Sequence, residues 1–356
     1  MTAVQSLDLG AGPASGVDTV RGVRLGLHRR TVLVSIGLLV LLAVAFAASM
    51  VVGDYPISVR ELFYSLTGRG TRATDFIVYE LRLPRVVTGL LVGLCFGISG
   101  AIFQAMIKNP LASPDIIGIT SGASASAVLA ILIFGLSGFA VSAFSFVGAL
   151  LTAFAIYLLA WRNGIAGYRL VLVGIGIAAM LYSVIDYLMT RANIWDAQVA
   201  LRWLTGSLNG SSNATMLPLM ILLLALLPLT LWSATALTGL QLGDDTATSI
   251  GIRVERSRLL LIVFGVALAA IATAAAGPIG FVAFVAGPIA RRLVHDRGLA
   301  LVPAALVGAV VMVAADLVAQ HVPGTRQLPV GVVTGVLGAP FLLWQLATAN
   351  RGGRGG

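Results

Sequence analysis

Two acids sit inside long apolar stretches, Asp186 and Asp316, and these are the residues whose position alone suggests chemistry. An ionisable group among apolar neighbours is costly and marks an ion or proton path by default. Asp316 lies near the end of its stretch, where interfacial pairing is the simpler role. Asp186 lies deeper, and either lines an aqueous path or pairs with Arg191, five residues on and imperfectly aligned for a helix. Other reactive groupings are missing from the sequence. It contains no GxxxxGK[ST], so it has no phosphate-cradling loop of its own. His28, His295 and His321 are far apart and Cys95 is alone, which leaves no metal-ligand spacing and no disulfide. The expectation is a chain with no catalytic residue, no cofactor-binding residue and no metal ligand. Two lone carboxylates are thin support for a proton-coupled carrier.

The elements that must carry these residues follow from composition. The chain has 356 residues, 58% hydrophobic and only 10% charged, with a mean hydropathy of +0.98. Soluble domains are about 25% charged, so a fold this apolar belongs in a bilayer. Backbone donors in a bilayer need internal partners, which leaves helices or a closed barrel. The apolar runs are about 20 residues long and do not alternate, which selects helices. The net charge of +9 comes from residues scattered through loops rather than gathered in a stripe, so nucleic acid is not an expected partner.

Ten spans are predicted, near 31–52, 84–107, 115–135, 142–161, 169–190, 214–236, 258–276, 279–294, 299–320 and 328–347. The eighth is short and interrupted by Pro278, Gly280, Gly287 and Pro288, so a tilted or broken helix is expected there. Even parity puts both termini on one side. That side holds fifteen of the 23 basic residues and the other side eight, which places both termini in the cytoplasm. Residues 1–30 read as a disordered cytoplasmic tail, 31–347 as a single transmembrane domain, and 348–356 as a second tail. The first apolar run exceeds an ordinary signal-peptide core and is read as an uncleaved span. Segments 54–80 and 195–213 read as amphipathic helices on the outer surface, with Trp195 and Trp203 suited to the interface.

The polar connections carry further information. LRLPR occupies 81–85, and GISGAIFQAMIKNPLASPDIIGITSGAS runs from 97 to 124. LGDDTATSIGIRVERSRLL fills 242–260, GPIGFVAFVAGPIARRL fills 277–293, AADLVAQ lies at 314–320 and LPVGVVTGVLGAP at 328–340. In this order and on these sides, the segments resemble the permease subunits of FecCD/BtuC-type ABC importers, which carry ferric siderophores and vitamin B12. The resemblance runs from about Asp54 to Leu346. WRNGI at 161–165, GSLNG at 206–210 and GDDTA with VERSRLL at 243–260 make it most similar to the ferric-enterobactin, catecholate-siderophore branch. VAGPIARR at 285–292 departs from the Ala-Pro-His type of triplet usual there.

The resemblance implies an all-α fold, the type II ABC importer permease fold of about ten transmembrane helices. It implies a cytoplasmic coupling loop at 238–258, expected as two short helices joined near Gly251, in which Gly243, Asp244, Asp245, Ala247, Ile250 and Gly251 meet an ATPase. It implies binding-protein docking through Arg82 and Arg85. A third family arginine would fall at Gln320, for which Arg326 could substitute. An inner gate is implied at Asn163, Gly164, Ala166, Gly167 and Tyr168, with Gly174, Gly176 and Asp186 as pathway candidates on the fifth span. Arg82 and Arg85 could instead anchor a helix at the interface, and the span-five glycines could serve helix packing.

The implied function is ATP-driven import of ferric siderophores across the cytoplasmic membrane. The implied partners are a second, paralogous permease subunit, two ATP-binding cassette subunits, an extracytoplasmic siderophore-binding lipoprotein and membrane lipids. ATP and Mg would be bound by the partner ATPase, and ferric iron would arrive already ligated. A cobalamin or haem importer is the alternative within the family, and a secondary transporter the alternative of another class.

Overall fold

The computed structural model describes residues 16–53, 55–161, 167–295, 300–321 and 327–352, and their side chains from 29 to 348. The described residues are helical throughout, without strands. Among the described residues eight helices are long and apolar enough to cross a membrane; the third predicted span is a shorter apolar helix, and the eighth a 13-residue helix that ends in Arg291 and Arg292. In chain order the helices are α1 (Gly16–Val51), α2 (Val59–Leu66), α3 (Arg72–Phe76), α4 (Leu83–Ile107), α5 (Ile119–Leu132), α6 (Phe139–Ala160), α7 (Gly167–Arg191), α8 (Ile194–Leu204), α9 (Asn213–Gln241), α10 (Asp244–Ser249), α11 (Val254–Ala276), α12 (Val282–Val294), α13 (Leu301–His321) and α14 (Val330–Gly352). A π-helical turn, Ile77–Arg82, joins α3 to α4.

The fold is built around α4, whose residues from Leu91 to Ala105 are almost all buried. Glycine explains how so many neighbours fit around it. A Cβ on Gly93 would strike the Gly308 carbonyl and Ala309, and one on Gly308 would strike Gly93 in return. One on Gly100 would run into the Ala283 backbone. Helix backbones therefore meet directly at the α4–α13 and α4–α12 crossings. Small residues at crossings are the usual route to helix association in lipid, where the hydrophobic effect supplies no drive. Buried hydrogen bonds add direction: Ser99 Oγ donates to the Gly265 carbonyl at 2.7 Å, and Gln104 Nε2 to the Phe284 carbonyl at 3.0 Å.

Several boundaries differ from the sequence expectation. The α1 helix starts at Gly16, inside the segment read as a disordered tail, as a continuation of the span that follows and in spite of Gly22 and Gly26. The α14 helix likewise continues to Gly352, past the predicted end of the membrane domain. The third span holds only 14 helical residues, since Pro110 and Pro114 keep 108–118 irregular. The eighth holds 13, beginning after Pro278 and Gly280 as the interrupted pattern suggested. The surface segment 54–80 folds as α2 and α3. A capping box between Ser58 and Glu61 starts α2 and holds the Glu61 carboxyl below its usual range.

Candidate functional site

The connection after α9, expected from the sequence to be cytoplasmic, folds into a small knob. Gly243, at φ +109°, turns the chain sharply into α10, and Gly251, at φ +85°, turns it out again. Both sit in a backbone region that L side chains rarely adopt. Between them Ala247 is fully buried and joins the main core, which anchors the inner side of α10. Asp244 and Asp245 occupy the first turn, where carboxylates complement the helix dipole. Arg258 Nη2 donates to both Asp244 oxygens, at 3.0 and 3.1 Å, and so ties α10 to the start of α11. Ile250 is 60% exposed at the tip, beside exposed Leu242. The result is a fixed protrusion with an apolar tip and an acidic flank. One short helix is present where two were expected, because the sequence from Val254 onward is already the first turn of α11.

The two arginines of LRLPR are engaged within the chain. Arg82 Nη1 donates to the Met50 and Val51 carbonyls at 2.6 and 3.0 Å, and Nη2 donates to Tyr55. It satisfies two of the last carbonyls of α1, where the helix has no following turn to supply donors. Arg85 forms a bidentate pair with Asp316, with both N–O distances 2.9 Å, and donates to Gln327 Oε1 at 2.9 Å. Gln320 Nε2 donates to Asp316 at 2.8 Å. In this state the geometry therefore favours the helix-anchoring role for Arg82 and a cross-chain tie for Arg85. Arg326 lies outside the described residues.

Of the gate candidates, Gly167 and Tyr168 are described, whereas Asn163, Gly164 and Ala166 lie outside the described residues. Tyr168 is 73% exposed at the start of α7, over a cavity of about 540 Å³ shared with Lys108 and Asn109. Lys108 ends α4 in the left-handed region, and Asn109 Oδ1 accepts from the Leu111 N–H at 2.9 Å, fixing the Asn-Pro turn. Gly174 is buried against the Ile117 carbonyl, so it serves close helix–loop packing rather than a passage. Gly176 has open space where a Cβ would go and sits on an exposed face of α7 with Tyr168, Leu172 and Met180. Asp186 is exposed further along that helix, while Arg191 lies over the Tyr187 ring rather than against it. Among the described residues no cluster of His, Cys, Asp and Glu could hold a metal ion.

The family model of the FecCD transport family matches residues 41–348. The chain belongs to the FecCD transport family. It is 42% identical to the ferric enterobactin transport system permease protein FepG of Escherichia coli K12 over 84% of this chain and 91% of that one. It is 40% identical to the achromobactin transport system permease protein CbrC of Dickeya dadantii over 88% and 90%, and 36% identical to the iron(3+)-hydroxamate import system permease protein FhuG of Bacillus subtilis over 87% and 95%. A solved metal-chelate type ABC transporter in an inward-facing conformation superposes with a TM-score of 0.78 at 26% identity, covering 89% of this chain and 99% of that one.

This FecCD chain also holds polar features that its sequence did not disclose. The partnership of Arg85 with Asp316 spans 231 positions. The available signal was an acid near the end of one apolar run with Gln320 one turn later, and two arginines at the mouth of another. Asp115, in the loop before α5, has both carboxylate oxygens buried without a hydrogen bond among the described residues.

Proposed function

We propose that this chain is the membrane-spanning permease subunit of an ABC importer for ferric siderophores of the catecholate type, working in the cytoplasmic membrane. The observation that carries the cargo assignment is the 42% identity to a ferric enterobactin permease across nearly all of both chains. The α10 knob supports the coupling role: a rigid protrusion is what a subunit without a nucleotide site needs to receive force from one that has it. The complex holds a second, paralogous permease, two ATP-binding subunits that carry ATP and Mg, and an extracytoplasmic binding lipoprotein. The chelate arrives with its iron already ligated, so the permease supplies a passage and no metal ligands.

In this reading α7 lines the passage with its exposed face, Tyr168 stands at the inner gate, and the outer ends of α4 and α13 receive the lipoprotein. Uptake of radioiron-loaded siderophores, beside labelled cobalamin, in cells with and without the gene tests the assignment. Loss of one siderophore class, restored by the gene, is expected. Normal iron uptake with lost cobalamin uptake would move the chain to the vitamin branch.

A further inference from the structure

Two cavities at the outer ends of α6, α9 and α11 run into each other. The upper one holds about 760 Å³ and is polar at its mouth, where Arg202, Trp203, Ser207 and Asn209 line it. The lower one holds about 210 Å³ and is an apolar groove between α6 and α9, floored by α11, with Phe146, Val147, Leu219 and Leu222 among its walls. Ser142, Thr215, Ala274 and Ala275 line both, so the polar chamber opens directly into the apolar groove.

The depth of this pair is fixed by the helices around it. The α6 helix begins at Phe139, α9 begins at Asn213 and α11 ends at Ala276, so the polar chamber sits at the membrane–water boundary and the groove below it. Trp203 is an indole at that boundary, where such rings collect. Arg202 is exposed and has no hydrogen-bond or ion-pair partner among the described residues. The groove faces outward, flanked by exposed Phe139, Leu222 and Val147. A cation above, hydrogen-bonding groups beside it and an apolar slot below is the order of groups along a phospholipid.

We infer that this chamber and groove form a binding site for one anionic phospholipid of the outer leaflet. Its phosphate meets the Arg202 guanidinium, its glycerol and ester oxygens meet Ser207 and Asn209, and one acyl chain lies between α6 and α9. Guanidinium suits phosphate because its planar fork can donate two parallel hydrogen bonds. The bound lipid fills a gap between α6 and α9 that no side chain fills, and so holds α8 and the 205–212 connection against the bundle. The groove is lined by apolar side chains, which suits an acyl chain and offers a polar ferric chelate nothing to bind.

The test uses the full-length chain purified in its complex, with lipids retained on it counted by native mass spectrometry after exchange into phosphatidylglycerol or phosphatidylcholine. Wild type is expected to keep phosphatidylglycerol in preference to phosphatidylcholine. Arg202→Gln should weaken phosphatidylglycerol retention roughly tenfold, the loss of one charge-assisted contact, and phosphatidylcholine retention less, because the choline cation already offsets that phosphate, so the preference between the two shrinks. Ala143→Trp, which fills the groove, should exclude both. Arg202 is exposed, so its variant keeps the test decisive if the tryptophan variant fails to fold. Equal retention of the two lipids by wild type, or unchanged phosphatidylglycerol retention in Arg202→Gln, overturns the assignment. Displacement of the preference by inorganic phosphate alone would also overturn it, since that marks a free-anion site. None of these outcomes depends on the transported cargo.

Discussion

Arg85 and Asp316 face each other across the α4–α13 crossing, with side chains 14% and 4% exposed and paired N–O distances of 2.9 Å. Breaking one side of such a pair leaves a buried charge behind, which costs about 3–5 kcal/mol. Asp316→Asn is therefore expected to lower the midpoint of thermal unfolding in detergent well below wild type. An apolar pair at the two positions should recover much of that loss, because it removes both charges together. A single variant with an unchanged midpoint would show the pair to be solvated and weak.

The same pair bears on docking. A carboxylate on an arriving lipoprotein reaches Arg85 only by competing with Asp316. Arg85→Glu is thus expected to lose both stability and docking, whereas Arg82→Glu should act mainly by freeing the end of α1. Binding-protein pull-down beside a melting curve separates the two: docking lost by Arg85→Gln at unchanged stability would make Arg85 a direct contact.

At the knob, Asp244→Arg removes an exposed ion pair worth about 0–1 kcal/mol, so folding and membrane insertion should survive. Association with the ATPase should fall and transport with it. Gly251→Trp forces a side chain into a left-handed position and should act in the same direction, with an added backbone cost of about 1–2 kcal/mol. Wild-type ATPase association in both variants would remove the coupling assignment.

Three glycines give a graded test of the packing. Gly100→Ala drives a methyl into the Ala283 backbone, and Gly174→Ala drives one into Ile117. Each is expected to cost about 1–3 kcal/mol or more, as overpacking does, and to reduce the amount of folded protein in the membrane. Gly176→Ala meets open space and should leave both yield and uptake close to wild type. Equal loss in all three would mean that the exposed face of α7 is covered as tightly as its buried face.

The proposed gate can be tested by thiol chemistry because Cys95, this chain's single cysteine, is fully buried. Tyr168→Cys, paired with a cysteine at the matching position of the partner permease, should crosslink when the inner mouth is closed. No crosslink in any nucleotide state would remove Tyr168 from the gate.

The sequence by itself determined the membrane class, the ten spans and the order of polar loops, because in lipid a helix must be long, apolar and internally hydrogen-bonded. Those constraints act on each segment separately and leave their mark in local composition. A break at Gly251 was legible for the same reason, since a positive φ is a local demand on one residue, whereas the sharp turn at Gly243 was not read from the sequence. Tertiary structure alone decided what the remaining polar residues do. Arg85 meets Asp316 only because α4 and α13 cross at Gly93 and Gly308, and that crossing is set by backbone contact between residues more than two hundred positions apart. Gly174 became a packing residue for the same reason: what its missing Cβ makes room for is the carbonyl of Ile117, on another element. The cavity beneath Arg202 likewise exists only where three helix ends and a connecting loop fail to close on one another.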